Sequence, residues 1–148
     1  MRRGQMVVVD IGCIYDGYCS DLTRTYFLGT MTPVFRRRYQ LVLDSQEAGI
    51  RAVRAGVTAG AVDEASRAVL RRAGLAGRFI HSTGHGVGLE IHELPRVAPG
   101  SRDRLEAGMV ITVEPGVYVP GWGGIRIEDV VAVTPSGCER LTHSSRVP

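Results

Sequence analysis

Residues 5–28 read QMVVVDIGCIYDGYCSDLTRTYFL, and the pattern of this stretch decides the fold. A valine-rich apolar run, residues 6–9, ends on Asp10. Residues 18–28 are again rich in aromatic and β-branched types, and Asp16-Gly17 stands between the two halves. Extended apolar runs joined by Asp-Gly predict a β-hairpin. Asp10 and Asp21 lie at similar distances from that turn, so antiparallel pairing carries the two carboxylates together. An acid at the end of a buried strand needs a compensating partner, and a metal ion is one of the few that satisfies two.

Further along the chain, Thr32-Pro33 predicts an N-cap with proline at the first helical position. The helix is expected to run to about Gly56, with Leu43, Ile50, Val53 and Val57 at roughly helical spacing. A second helix is expected from Ala59 to a stop at Gly74, with Val62, Ala65, Val69 and Leu70 on one side. Both read as packing elements without chemistry, their arginines and glutamates facing solvent. After Phe79 comes a glycine-rich stretch, HSTGHGVGLEIHELP at 81–95, and then Val110–Val113 and Ile125–Val133 read as strands. The order of strands, helices and strands predicts an α+β domain, a mixed or antiparallel sheet with two helices packed on it. Residues 136–148 carry little pattern, and no repeat, low-complexity linker or second domain is expected within the 148 residues.

At 148 residues, 44% hydrophobic and 22% charged, the chain has the composition of one ordinary soluble domain. The three cysteines, Cys13, Cys19 and Cys138, are odd in number and have no C-x-x-C spacing, so small buried thiols in a reducing compartment are expected rather than a disulfide framework or a zinc site. No apolar run of about 18 residues and no charged-then-apolar leader occurs, which predicts no membrane span and no signal peptide, hence a cytoplasmic location. The net charge is +3, and all 18 basic residues are arginine. Only Arg36, Arg37 and Arg38 form a run, which a solvated helix face explains without nucleic acid.

Five residues stand out chemically: Asp10, Asp21, His85, Glu114 and Glu128. Glu114 ends the apolar stretch Met109–Val113, as Asp10 ends its own. Period two in Ile125-Arg126-Ile127-Glu128 sets Arg126 and Glu128 on one polar face and the isoleucines on the other. Taken singly, each acid suits a cap, a turn or half of an ion pair. Taken together, four carboxylates and one imidazole suit two hard divalent cations, which need an excess of oxygen ligands that can bridge them. Such a pair lowers the pKa of a shared water to roughly 7, and the predicted chemistry is metal-assisted hydrolysis. Gly84-His85-Gly86-Val87-Gly88 does not fit G-x-G-x-x-G, so phosphate binding is excluded; glycines beside a histidine instead allow close backbone approach. His92-Glu93 fails as a zincin motif because Arg96 stands where a second histidine is required.

With those residues quoted, DIG…GYCSDLTRT, HSTGHGVGLEIHE, VEPGVY and GIRIED resemble the successive signatures of the pita-bread (M24-type) metallopeptidases, in the Xaa-Pro dipeptidase and aminopeptidase branch, from about Gly4 to Thr134. The resemblance implies a creatinase/aminopeptidase-like fold, with residues 1–148 as the C-terminal portion of its catalytic domain and the upstream half and N-terminal domain absent. It implies Asp10, Asp21, His85, Glu114 and Glu128 as ligands of two divalent ions, manganese first, with cobalt or zinc as alternatives. It implies Glu114 as general base and acid, His92 stabilising the tetrahedral intermediate, and His81 lining the substrate pocket. Arg96 would bind a substrate carboxylate, and Arg126 would orient neighbouring ligands. The implied substrate is a peptide or dipeptide with proline after the scissile bond, with no nucleic-acid or membrane partner and a homodimer as an option. A methionine aminopeptidase-like enzyme, a non-catalytic binding module of the kind found in histone chaperones and growth-associated proteins, and an inactive fragment are the alternatives. A half-domain would expose an apolar edge and face that invite association.

Overall fold

The computed structural model describes residues 1–147. The elements are β1 (Met6–Ile11), β2 (Ile14–Tyr15), β3 (Tyr18–Cys19), β4 (Leu22–Phe27), α1 (Pro33–Ala52), α2 (Ala59–Arg72), a 3₁₀ turn (Ala76–Arg78), β5 (Gly84–Gly86), β6 (Glu93–Val97), β7 (Val110–Val113), β8 (Gly116–Val119), β9 (Gly123–Arg126), β10 (Asp129–Val133) and β11 (Cys138–Arg140). The expected α+β order is borne out, and all the described strand pairs are antiparallel.

The opening hairpin forms around Asp16 (φ 49°) and Gly17 (φ 84°), two left-handed residues as a type I′ turn requires. It has two parts: β2 and β3 make a short tip, and β1 and β4 make the main ladder. Asp10 therefore pairs with Thr23, and Asp21 stands one residue before β4. The expectation of a buried strand is also corrected. Met6–Val9 are half-buried and Asp10 is exposed, because this ladder is a two-stranded layer.

Thr32 caps α1 by accepting from the Phe35 N–H at 3.2 Å. The helix stops at Ala52, short of Gly56, because Val53 turns extended and the next donors leave the helix. The Ala55 N–H goes to the Thr134 carbonyl and the Gly56 N–H to the Leu105 carbonyl. The buried stripe is Phe35, Tyr39, Val42, Gln46, Gly49 and Ile50, whereas Leu43 is only half-buried. α2, capped by Thr58, buries Val62, Asp63, Ser66 and Leu70. Gly49 lets the helices approach each other and the sheet: a Cβ there would lie 2.9 Å from Val113 and 3.3 Å from Ser66.

The main sheet runs β11-β10-β7-β5-β6. Ile50, Val53 and Val62 pack on its Ile111, Val113, Val131 and Val133. A second core joins Phe35, Tyr39, Val42 and Leu70 to Val117, Ile125 and Ile127 of the β8–β9 hairpin and the bend after it. The two helices thus span both layers, and the seam between layers falls where β9 breaks from β10. The single strand expected over Ile125–Val133 is two strands, interrupted at Ile127-Glu128. Arg36 and Arg37 are solvated as expected, while Arg38 stacks 4.2 Å over the Trp122 ring. Cys13 is exposed and Cys19 and Cys138 are half-buried, all three free, so the expected burial is not met. No described helix is long and apolar enough to cross a membrane.

Candidate metal centre

The seam collects the acidic residues. His85 lies on β5 between two glycines that the sheet cannot replace: a Cβ on Gly84 would stand 2.0 Å from the Thr112 carbonyl oxygen, and one on Gly86 2.3 Å from that of Leu94. The close approach they permit is therefore to neighbouring strands. The ring is set by Nδ1, 2.9 Å from the Gly86 carbonyl oxygen; a carbonyl only accepts, so Nδ1 carries the hydrogen and Nε2 faces the acids. Glu114 Oε1 lies 3.3 Å from Nε2 and Asp21 Oδ2 lies 3.7 Å from it. One ligand atom each from Asp21, His85 and Glu128 lies within 4.8 Å of the others.

Glu128 is 1% exposed, in the bend between β9 and β10. Its N–H donates to the Thr23 carbonyl at 3.1 Å, and Thr23 Oγ1 donates to its carboxylate at 2.6 Å. Burial, then the charge of Glu114, pushes its pKa up to about 8. Burial and the charge of Asp10 raise Asp21 as well. For His85, burial works downward, but the hydrogen bond to Glu114, the Gly86 carbonyl and the Glu114 and Asp21 charges outweigh it, and its pKa rises. Burial is the largest cause for the two acids, and the crowding of acceptors short of positive charge adds to it while drawing the imidazole toward its charged form. Oxygen-rich acceptors around one imidazole fit a hard divalent cation.

Asp10 and Glu114 are reached differently. Arg126 forms an ion pair with Asp10 through Nη2, and its Nε lies 3.8 Å from Glu114 Oε2 and 3.3 Å from Thr23 Oγ1. Its Nη1 donates to Tyr118 Oη at 3.0 Å. Asp10 is thus turned to Arg126, outside the three-residue cluster, because the end of β1 is exposed and Arg126 is a cation within its reach. Arg126 and Glu128 do share a polar side, but it faces inward.

His81 Nδ1 lies 2.7 Å from the Ser82 carbonyl, which leaves Nε2 to accept from Tyr118 Oη at 3.0 Å. Burial holds the His81 pKa below the usual range. The His92 ring stands edge-on to His85 at 4.3 Å between centroids. Arg96 pairs with His85 across β5 and β6 and is exposed. His81, His85, His92, Arg96, Glu114 and Arg126 line one open cleft of about 1160 Å³. A second lobe holds Asp10, Asp21, Cys13 and Cys19 and shares His92.

Sequence reading missed the supports of this site. Asp63 and Arg67 of α2 face inward: Arg67 makes two hydrogen bonds of 2.9 Å to Asp63 and donates at 2.8 Å to the carbonyls of Phe79 and His81. Thr83 Oγ1 also donates to Asp63 at 2.8 Å, and the Thr83 carbonyl accepts from the Glu114 N–H at 2.7 Å. An acid and an arginine four apart on a helix read equally well as a surface pair; only the partners of Asp63 distinguish the two.

Residues 1–135 match the model of metallopeptidase family M24, and the chain belongs to that family. The Xaa-Pro dipeptidase of Pyrococcus furiosus is 45% identical over 146 residues, which are 99% of this chain and 42% of that protein. The prolidase structure from Pyrococcus furiosus superposes with a TM-score of 0.97 at 45% identity, over 99% of this chain and 43% of that one. The X-Pro aminopeptidase structure from Thermotoga maritima gives 0.95 at 39% identity, over 98% and 41%. The fold is the pita-bread fold, and the chain spans about two fifths of the length of these relatives.

Proposed function

We propose that these 148 residues are the C-terminal portion of a pita-bread catalytic domain, and that the protein containing them hydrolyses peptide bonds preceding proline with two divalent ions, manganese in the first instance. Asp10, Asp21, His85, Glu114 and Glu128 would hold the pair. The observation that carries the reading is Glu128: a buried acid with one hydrogen-bonding hydroxyl, its pKa pushed up to about 8 beside Asp21 and His85. Relatives named Xaa-Pro dipeptidase and X-Pro aminopeptidase support the substrate class. The chemistry such ions supply is polarisation of the peptide carbonyl and acidification of a water.

The residues of this chain do the rest. Glu114 takes the proton of the attacking water and returns it to the leaving nitrogen, which for proline departs poorly until protonated. Arg126 holds Asp10 and Glu114 in orientation through its guanidinium. His92, at the edge of His85, faces the cleft where the carbonyl oxygen would develop charge. His81 is kept neutral by burial and fixed by Tyr118, and Arg96 at the rim receives a substrate carboxylate.

In the full-length protein, Glu114→Gln is expected to lower Xaa-Pro dipeptide turnover at least about 100-fold. Turnover near the starting rate would sink the role of Glu114. Failure of the unaltered full-length protein to bind any divalent metal would sink the enzyme reading as a whole.

A further inference from the structure

We infer that Arg24 is a positioning residue for Glu128, completed by a clasp from residues 142–146 near the end of the chain; this rests on the reading of Glu128 as a metal ligand. A guanidinium has five N–H donors, and Arg24, 3% exposed, places each on an acceptor. Nη1 donates to the carbonyls of Thr23, at 2.9 Å, and Glu128. Nη2 donates to Asp129 Oδ1 at 2.7 Å and the Ser144 carbonyl at 2.9 Å, and Nε donates to the Ser145 carbonyl at 3.0 Å. Two of the five acceptors belong to the segment that carries no pattern in the sequence.

The first two acceptors locate the effect. Thr23 and Glu128 are joined by their own backbone bond and by the Thr23 hydroxyl, which is the hydrogen bond the Glu128 carboxylate receives. Arg24 therefore holds both backbones that aim the carboxylate.

The clasp is itself tied down. The Leu141 N–H donates to the Val130 carbonyl at 2.9 Å, Thr142 Oγ1 donates to Asp129 Oδ1 at 2.7 Å, and Tyr39 Oη donates to the Arg146 carbonyl at 2.9 Å. Without Ser144 and Ser145, two buried donors lose their partners, and a buried donor is costly to leave unmade. The guanidinium would turn toward other acceptors, and the hold on Glu128 would slacken with it. Partners of this kind around metal ligands typically matter by about 10–100-fold in metal affinity.

The test uses the full-length protein, calorimetric titration with Mn²⁺, and the melting temperature of the metal-free form. One variant deletes Ser144 and Ser145, and a second, Arg24→Lys, keeps the charge opposite Asp129 but loses the planar fork. Val62→Ala, in the apolar core between helices and sheet, is the control for loss of stability. Expected is a loss of about tenfold or more in Mn²⁺ affinity for whichever of the first two variants folds, with affinity unchanged in Val62→Ala. Unchanged affinity in a folded clasp variant, or an equal loss in Val62→Ala, overturns the inference while leaving the metal reading standing. If the unaltered protein binds no Mn²⁺, both fall together.

Discussion

Glu128 and Asp129 are consecutive acids, both almost fully buried, and the protein treats them in opposite ways. Asp129 is saturated: Arg24, Gln46 and Thr142 donate to it at 2.7, 2.8 and 2.7 Å, and Arg140 Nε stands 3.4 Å away. Glu128 receives one side-chain hydrogen bond, from Thr23, and faces other acids. The difference teaches how to tell a structural acid from a functional one. A buried carboxylate surrounded by donors is spent on holding elements together, here β10, α1, β4 and the last residues. One left among acceptors suits a cation that arrives from outside, the role proposed for Glu128.

Breaking the structural side of the comparison should have the largest effect. Asp129→Ala leaves the Arg24 guanidinium buried and unpaired, and removing one partner of a buried pair costs about 3–5 kcal/mol. Urea unfolding of the metal-free protein should register that loss, and a loss below about 1 kcal/mol would refute the assignment. Glu128→Gln should divide the two properties: metal-free stability above pH 8 should rise, since the ionised acid is what burial penalises, while Mn²⁺ affinity should drop at least about tenfold. A parallel fall in both would place Glu128 with Asp129.

The pH dependence sharpens the contrast further. Glu128 titrates near 8 in the fold against an ordinary value of 4.5, so between those values the folded state binds more protons than the unfolded. Its contribution to metal-free stability is therefore present below about pH 4.5 and is lost as pH rises through about 8. Asp21 and His85, also raised, act in the same direction. Chemical denaturation at pH 5 and pH 8 should show that decline, and saturating Mn²⁺ should cancel it, because the metal displaces those protons. The smallest effect is expected on the surface: removing the exposed Glu64–Arg71 pair with Glu64→Ala should leave the melting temperature unchanged.

The sequence was most legible where a local rule acts alone. Asp16-Gly17 made its turn, Thr32-Pro33 began its helix, and the alternation of elements announced α+β architecture. It was least legible where a partner far along the chain decides the outcome. Asp63 and Arg67 look like an ordinary helix-surface pair until Thr83 and the carbonyls of Phe79 and His81 are in place. Residues 144–146 have no periodicity because they hold Arg24 and Tyr39 through backbone carbonyls, which every residue carries alike. α1 ended early because Thr134 and Leu105 accept its next donors. The interruption of the strand at Ile127-Glu128 has a similar origin, since the Glu128 N–H turns to Thr23 on the opening hairpin.

The sequence by itself determined which residues have the right chemistry: four carboxylates, one imidazole between glycines, and an arginine two positions before the last acid. Side-chain type and local spacing are intrinsic to the chain. Only the tertiary structure decided how those residues divide, with Asp21, His85 and Glu128 crowded together, Asp10 drawn to Arg126, and Asp129 saturated next to Glu128. The physical reason is that a buried charge is defined by its neighbours, and the side-chain donors to Glu128 and Asp129 lie as many as 105 residues away.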